Sequence, residues 1–147
     1  MKINPKQYIE VAQEHIDTAR ILHNNERYST AIYLAGVSIE CLLLAYRTKI
    51  KSHFDSRHNL NNLMKESGIV NFIQERNRKK IGILLGEVWS RWKNNYRFAS
   101  NSRLKSELKK LGLDRGIKGD ILKTNSMHII DNAYELINIG VRRWKYN

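Results

Sequence analysis

Three features of the sequence predict an all-α fold. Apolar residues recur at steps of three and four over most of the chain, and no stretch alternates with period two. One long segment, Ser29 to Ile50, is apolar on nearly every helical face. Such a helix belongs either in a protein core or in a membrane. The apolar run from Ala31 to Tyr46 is shorter than a bilayer requires, contains Glu40 and is flanked by Arg27 and Arg47, which favours a core. The expected architecture is an up-and-down bundle of about five helices, one domain over residues 1–147, with this second helix buried at its centre.

Each element follows from local signals. Asn4-Pro5 starts a helix, because proline at the first helical position gives up no hydrogen bond and the preceding Asn caps it. Tyr8, Val11, Ala12, His15, Ile16, Ala19 and Leu22 form its apolar stripe. It is expected to end at His23-Asn24-Asn25, where Asn tolerates the left-handed conformation. Glu26-Arg27-Tyr28 then leads into the central helix as an antiparallel hairpin. Ser29 is expected to cap that helix. Ala31, Ala35, Gly36 and Ala45 are small enough for close approach of neighbours, while Leu34, Ile39, Leu42 and Leu43 fill the space between.

Lys51 to Arg57 is polar and reads as a loop. Leu60, Leu63 and Met64 restart the period, with Gly68 as a stop. A longer helix is expected from about Val70 along Ile81, Leu84, Leu85, Val88, Trp89 and Trp92, with Gly82 and Gly86 as places for a kink. Asn94-Asn95 ends it, and Phe98 to Ser102 reads as an exposed turn. A short helix from Ser102 carries Leu104, Leu108 and Leu111 on one face and closes at Gly112. After the glycine-rich, charged loop Leu113–Asp120, a last helix from Ile121 or Met127 repeats Ile130, Ala133, Tyr134, Ile137, Val141 and Trp144.

Charge is unevenly placed. Of the net +12, residues 76–123 carry 14 Lys+Arg against 4 Asp+Glu, whereas residues 1–75 and 124–147 are each close to balance. Such clustering points to an anionic partner, nucleic acid first and acidic protein second. The competing reading is that Lys and Arg solvate exposed helix faces. The start of the chain, MKINPKQYIEVAQ, has neither a secretory apolar stretch nor the composition of a transit peptide, so a cytoplasmic protein without a membrane segment is expected. The single cysteine, Cys41, excludes an internal disulfide and reads as a small buried hydrophobe.

Several positions taken together resemble a known family. Arg27-Tyr28-Ser29 with Ala31, Ala35, Gly36 and Glu40-Cys41, then His58-x-Leu60-x-x-Leu63, then Trp92 with Tyr96-Arg97-Phe98, is similar in order and spacing to the higher eukaryotes and prokaryotes nucleotide-binding (HEPN) domain. That resemblance implies a helical bundle that commonly forms a homodimer. It also implies one of two roles. Many members are metal-independent ribonucleases with an Arg, four to six residues, then His, late in the bundle. Others lack the motif and bind nucleotides or serve as partners of nucleotidyltransferases in toxin-antitoxin or phage-defence pairs.

At the corresponding position this chain reads Arg91-Trp92-Lys93-Asn94-Asn95-Tyr96, with Tyr96 where the His would stand. A phenol with an ordinary pKa near 10 is a poor acid or base at neutral pH. Arg91 and Tyr96 are therefore the residual catalytic candidates of a degenerate motif. Arg47-x5-His53 matches the spacing elsewhere but lies too early in the chain. His58 reads as a packing or capping residue. The scattered His residues and the absence of HExxH or CxxC spacing exclude a recognisable metal site, and Gly112-x3-Gly116-x2-Gly119 is not a phosphate loop. No cofactor is expected.

The anion-binding candidates are Arg91, Lys93, Asn94 and Arg97, expected to converge on a phosphate where the helix breaks, together with Arg76, Arg78, Lys79 and Lys80. Trp89, Trp92 and Tyr96 fall at helical spacing and are expected on one stripe, as core rather than as a base-stacking platform. The leading expectation is a HEPN-like module without strong catalytic activity that binds RNA, nucleotide or an acidic partner through residues 76–123. The alternatives are a metal-independent ribonuclease toxin and a structural homodimer or antitoxin-like partner of a nucleotidyltransferase.

Overall fold

The computed structural model describes residues 1–50, 60–69 and 75–145. Every regular element among them is helical: α1 (Pro5–Asn24), α2 (Tyr28–Ile50), α3 (Leu60–Ser67), α4 (Glu75–Ser90), a 3-10 turn (Asn94–Phe98), α5 (Asn101–Lys110) and α6 (Ile121–Lys145). The all-α bundle is as expected, with six α-helices among the described residues. The expected loop Lys51–Arg57 with His53, the His58 position and the expected helix start at Val70 lie outside those residues.

The first hairpin is closed by side chains. Asn4 Oδ1 accepts from the Gln7 N–H at 2.9 Å while Gln7 Oε1 accepts from the Asn4 N–H at 2.8 Å, a reciprocal cap at the start of α1. At its other end Asn25 Nδ2 donates to the Ile21 carbonyl at 2.8 Å, and Asn25 keeps φ at −100°. The left-handed residue is therefore Glu26 (φ 61°), not Asn24 or Asn25. Nor does Ser29 cap α2. The helix starts one residue earlier, so the Ser29 N–H is itself one of the orphan donors of the first turn, and Asn101 Oδ1 accepts from it at 3.0 Å. Asn101 Nδ2 also donates to the Glu26 carbonyl at 3.4 Å, so the first residue of α5 holds both sides of the α1–α2 turn.

α2 is the centre of the bundle, packed by α1, α3, α5, α6 and the 3-10 turn. Ala31, Ile32, Ala35, Ile39, Leu42, Leu43, Ala45 and Tyr46 are all fully buried. Each large aliphatic among them contributes about 1.5–3 kcal/mol by leaving water. By length and composition Tyr28–Lys49 matches a membrane span, but 72% of its most apolar window is buried inside the bundle. Cys41 lies within it, and burial, with the Glu40 carboxylate adding, pushes its thiol up to about 12, which makes it inert.

α6 is a second spine, touching α1, α2, α4 and α5. It runs antiparallel to α1, through His23 with Ser126 (2.8 Å), Arg20 with Asp131 (3.3 Å) and Asp17 with Tyr134. Against α2 it is fixed by Tyr46, whose hydroxyl donates to the Gly140 carbonyl at 2.6 Å and whose ring meets Trp144 edge-on at 5.2 Å.

α4 departs from expectation in two ways. It runs unbroken through Gly82 and Gly86, both exposed on its outer side, so no kink forms. It then stops at Ser90 rather than continuing through Trp92, because Trp92 turns back into α2. Its Nε1 donates to the Tyr33 carbonyl at 2.9 Å and its ring stacks on Tyr33 at 6.3 Å. The expected stripe is thereby broken: Trp89 is 51% exposed and Trp92 is 3% exposed. The exposed turn foreseen at Phe98–Ser102 is shorter, since Ser100 caps α5 through its side chain and Asn101 is already helical.

Candidate nucleic-acid interface

α4 lies antiparallel on α6, so pairing positions step down one helix as they step up the other: Lys80 with Glu135, Glu87 with His128, Arg91 with Asn125. At the last of these steps a polar node forms. Arg91 Nη1 donates to Glu87 Oε2 at 2.6 Å, to the Glu87 carbonyl at 3.1 Å and to Ser90 Oγ at 3.3 Å, and Nε donates to Asn125 Oδ1 at 3.2 Å. Asn125 is oriented in turn by its own donation to the carbonyls of Leu113 (3.0 Å) and Ile121 (2.9 Å). On the other side His128 Nε2 meets the same Glu87 Oε2 at 2.9 Å. The hydrogen bond from His128, with the Arg91 charge beside it, holds the Glu87 carboxyl below the usual carboxylate range against the opposing effect of burial.

Arg91 is thus a largely covered cation, its side chain 16% exposed, locked by four acceptors. His128 and Glu87 are the accessible members, at 43% and 41%. The node joins an arginine, a carboxylate and an imidazole. Sequence spacing shows only its Glu87–Arg91 pair, four residues apart on one helix. His128 is 41 positions from Glu87 and is brought there only by α4 packing on α6.

The residues after Arg91 do not join it. Lys93 turns toward α5 and pairs with Glu107 at 3.0 Å. The Arg97 guanidinium lies 4.6 Å from the centre of the Phe98 ring. Asn94 Oδ1 is buried with no hydrogen-bond partner. The expected convergence of Arg91, Lys93, Asn94 and Arg97 on one phosphate is therefore absent: Arg91, Lys93 and Arg97 each engage a different neighbour, and Asn94 Oδ1 has no hydrogen-bond partner. Tyr96 is 5% exposed and packs inward. Its hydroxyl also lacks a partner, and burial, with Glu107 adding, raises it to about 12, so it cannot exchange a proton at neutral pH.

Beside Tyr96 the 3-10 turn and α5 enclose an open cavity of about 300 Å³, lined among others by Lys93, Asn95, Phe98, Arg103 and Glu107. Phe98, at 77%, is strongly exposed for an aromatic side chain. The cations Lys93, Lys110 and Arg103 keep the Glu107 carboxyl low, the Lys93 hydrogen bond being the largest cause.

Of the fourteen cations in residues 76–123, all except Arg91 are exposed. Along the chain they fall into two groups. Arg76, Arg78, Lys79 and Lys80 sit on the first turns of α4, with Lys80 paired to Glu135. Lys93, Arg97, Arg103, Lys105, Lys109 and Lys110, with Arg115, Lys118 and Lys123, surround the 3-10 turn, α5 and the start of α6. The α6 partners of Lys80 and Arg91, Glu135 and Asn125, lie about 15 Å apart at 1.5 Å per residue, so the first group sits toward the far end of α4 from the 3-10 turn. Among the described residues no three His, Cys, Asp or Glu side chains gather to hold a metal ion. Compared with protein-family models, curated proteins and solved structures, the chain matches none.

Proposed function

We propose that this chain is a HEPN-like, cytoplasmic helical module that binds the phosphate backbone of RNA through the basic patch around α5. One observation carries the proposal: from Lys93 to Lys123 nine exposed cations stand against the three carboxylates Glu107, Asp114 and Asp120. Cations so arranged contact phosphates without reading sequence, and they release counterions on binding. Binding of single-stranded RNA to the purified protein is then expected to fall about a hundredfold between about 50 and 200 mM salt, for about five phosphate contacts. No measurable binding at the lower salt rules the proposal out. The homodimer and the nucleotidyltransferase partner follow from the HEPN resemblance alone. Size measurement in solution and the gene next to this one test them.

A second reading, metal-independent ribonuclease activity, is favoured by the node of Glu87, Arg91 and His128. An imidazole oriented by a carboxylate can move a proton at neutral pH, and a guanidinium can hold a phosphoryl oxygen. It assigns the acid–base role to His128 and not to Tyr96. Incubation with total RNA in EDTA decides between the two: cleavage that persists in Tyr96→Phe but vanishes in His128→Ala replaces the binding-only reading, and intact RNA upholds it.

A further inference from the structure

We infer that the cavity between the 3-10 turn and α5 receives one unpaired nucleobase of the bound strand, so that the module selects single-stranded over duplex RNA. This rests on the RNA-binding reading and adds a site to it. Phe98 projects from the rim at 77% exposure, and the Arg97 guanidinium covers one face of its ring at 4.6 Å, leaving the other for a planar partner. A base stacked on an aromatic ring contributes about 1–3 kcal/mol whatever its identity. A volume of about 300 Å³ is at the lower limit for a small-molecule site, enough for one base and its sugar. Arg103 and Lys93, the latter paired with Glu107, also line the cavity and supply positive charge for the adjoining phosphates.

The second observation is polar and independent of the ring. The Tyr96 hydroxyl, on a residue 5% exposed whose other atoms help line this cavity, is itself closed off from solvent and has no hydrogen-bond partner in the protein. A buried group left unsatisfied destabilises the fold unless something else fills the role. The Glu107 carboxylate, held by Lys93 at 3.0 Å, stands on the same cavity as an acceptor. A carboxylate accepts from the amino edge of a base, and the Tyr96 hydroxyl joins it only when the side chain shifts toward the cavity. In a duplex that edge is already paired and the base is stacked between neighbours, so only an unpaired nucleotide can enter.

Fluorescence anisotropy of the full chain with a short single-stranded RNA, its duplex and adenosine monophosphate tests this. Phe98→Ala, at an exposed position, is expected to weaken single-strand binding about tenfold and leave duplex binding within about twofold. Tyr96→Phe is expected to weaken single-strand binding while leaving the melting temperature unchanged or raised, since it removes an unsatisfied hydroxyl. Equal single-strand affinity in wild type and both variants overturns the base pocket and leaves the phosphate reading standing. Loss of binding to every RNA in the wild type at low salt overturns both. Tighter binding of adenosine monophosphate than of the strand, lost in Phe98→Ala, overturns the strand as its occupant in favour of a free nucleotide.

Discussion

The Trp92 indole lies where a side chain on Gly36 would have to be. A Cβ built on Gly36 overlaps Cδ1, Nε1 and Cγ of that ring, which is held there by its hydrogen bond to the Tyr33 carbonyl one turn away on α2. The contact explains why α4 stops at Ser90: the chain leaves the helix to deliver Trp92 into a groove that only glycine leaves open. Gly36→Ala is expected to destabilise the protein by about 3 kcal/mol in urea titration, at the upper end of overpacking costs. In a Trp92→Leu background the same substitution should cost much less. Additive effects would show that the two sites are not coupled.

The two glycines within α4 behave in the opposite way. Nothing lies within 4 Å of a Cβ added at Gly82 or Gly86. Gly82→Ala and Gly86→Ala should each raise stability by about 0.5–1 kcal/mol, through the backbone entropy that glycine loses in a helix. A lower melting temperature for either would mean that this face, with the exposed Ile83 and Trp89, is covered in solution.

Asn101 is a cap supplied across the fold. Asn101→Ala removes the acceptor of the Ser29 N–H and is expected to cost about 1 kcal/mol. Asn101→Asp keeps the acceptor and adds a negative charge at the α2 N-terminus, so it should recover most of that loss. Chemical denaturation of the three proteins checks this, and an Asp variant as weak as Ala would refute it.

His23 makes stability depend on pH. It is buried between α1 and α6, 2.8 Å from Ser126 Oγ and edge-on to Tyr28 at 5.2 Å. Burial, then the charges of Lys123 and Arg20, lower its pKa, with Asp131 opposing. The unfolded chain therefore takes up the proton first. Stability is fully present above the ordinary histidine value of about 6.5 and is lost as pH falls through the lower folded value. Melting temperature should fall over that window, and His23→Gln should flatten the slope there. An unchanged slope would assign the effect to other groups.

Much of the fold was legible because it depends on local chemistry. Asn4-Pro5, the periodic stripe of α1, the stop at Gly68, the close at Gly112 and the run of apolar residues in α2 each act over a few residues. The site was less legible. Arg91, Lys93, Asn94 and Arg97 are neighbours in sequence, and proximity along the chain suggested one cluster. The 3-10 turn sends them apart because Trp92 and Tyr96 are drawn inward between them.

Periodicity and composition are properties of the chain alone, and they carry the all-α bundle around one apolar helix and the excess of positive charge in residues 76–123. Tertiary structure decided the rest. It set His128 beside Glu87, turned Lys93 to Glu107 and capped α2 with Asn101. Those outcomes depend on how helices distant in sequence are registered against one another, and burial of apolar faces sets that registry with no trace in the spacing of the polar residues it brings together.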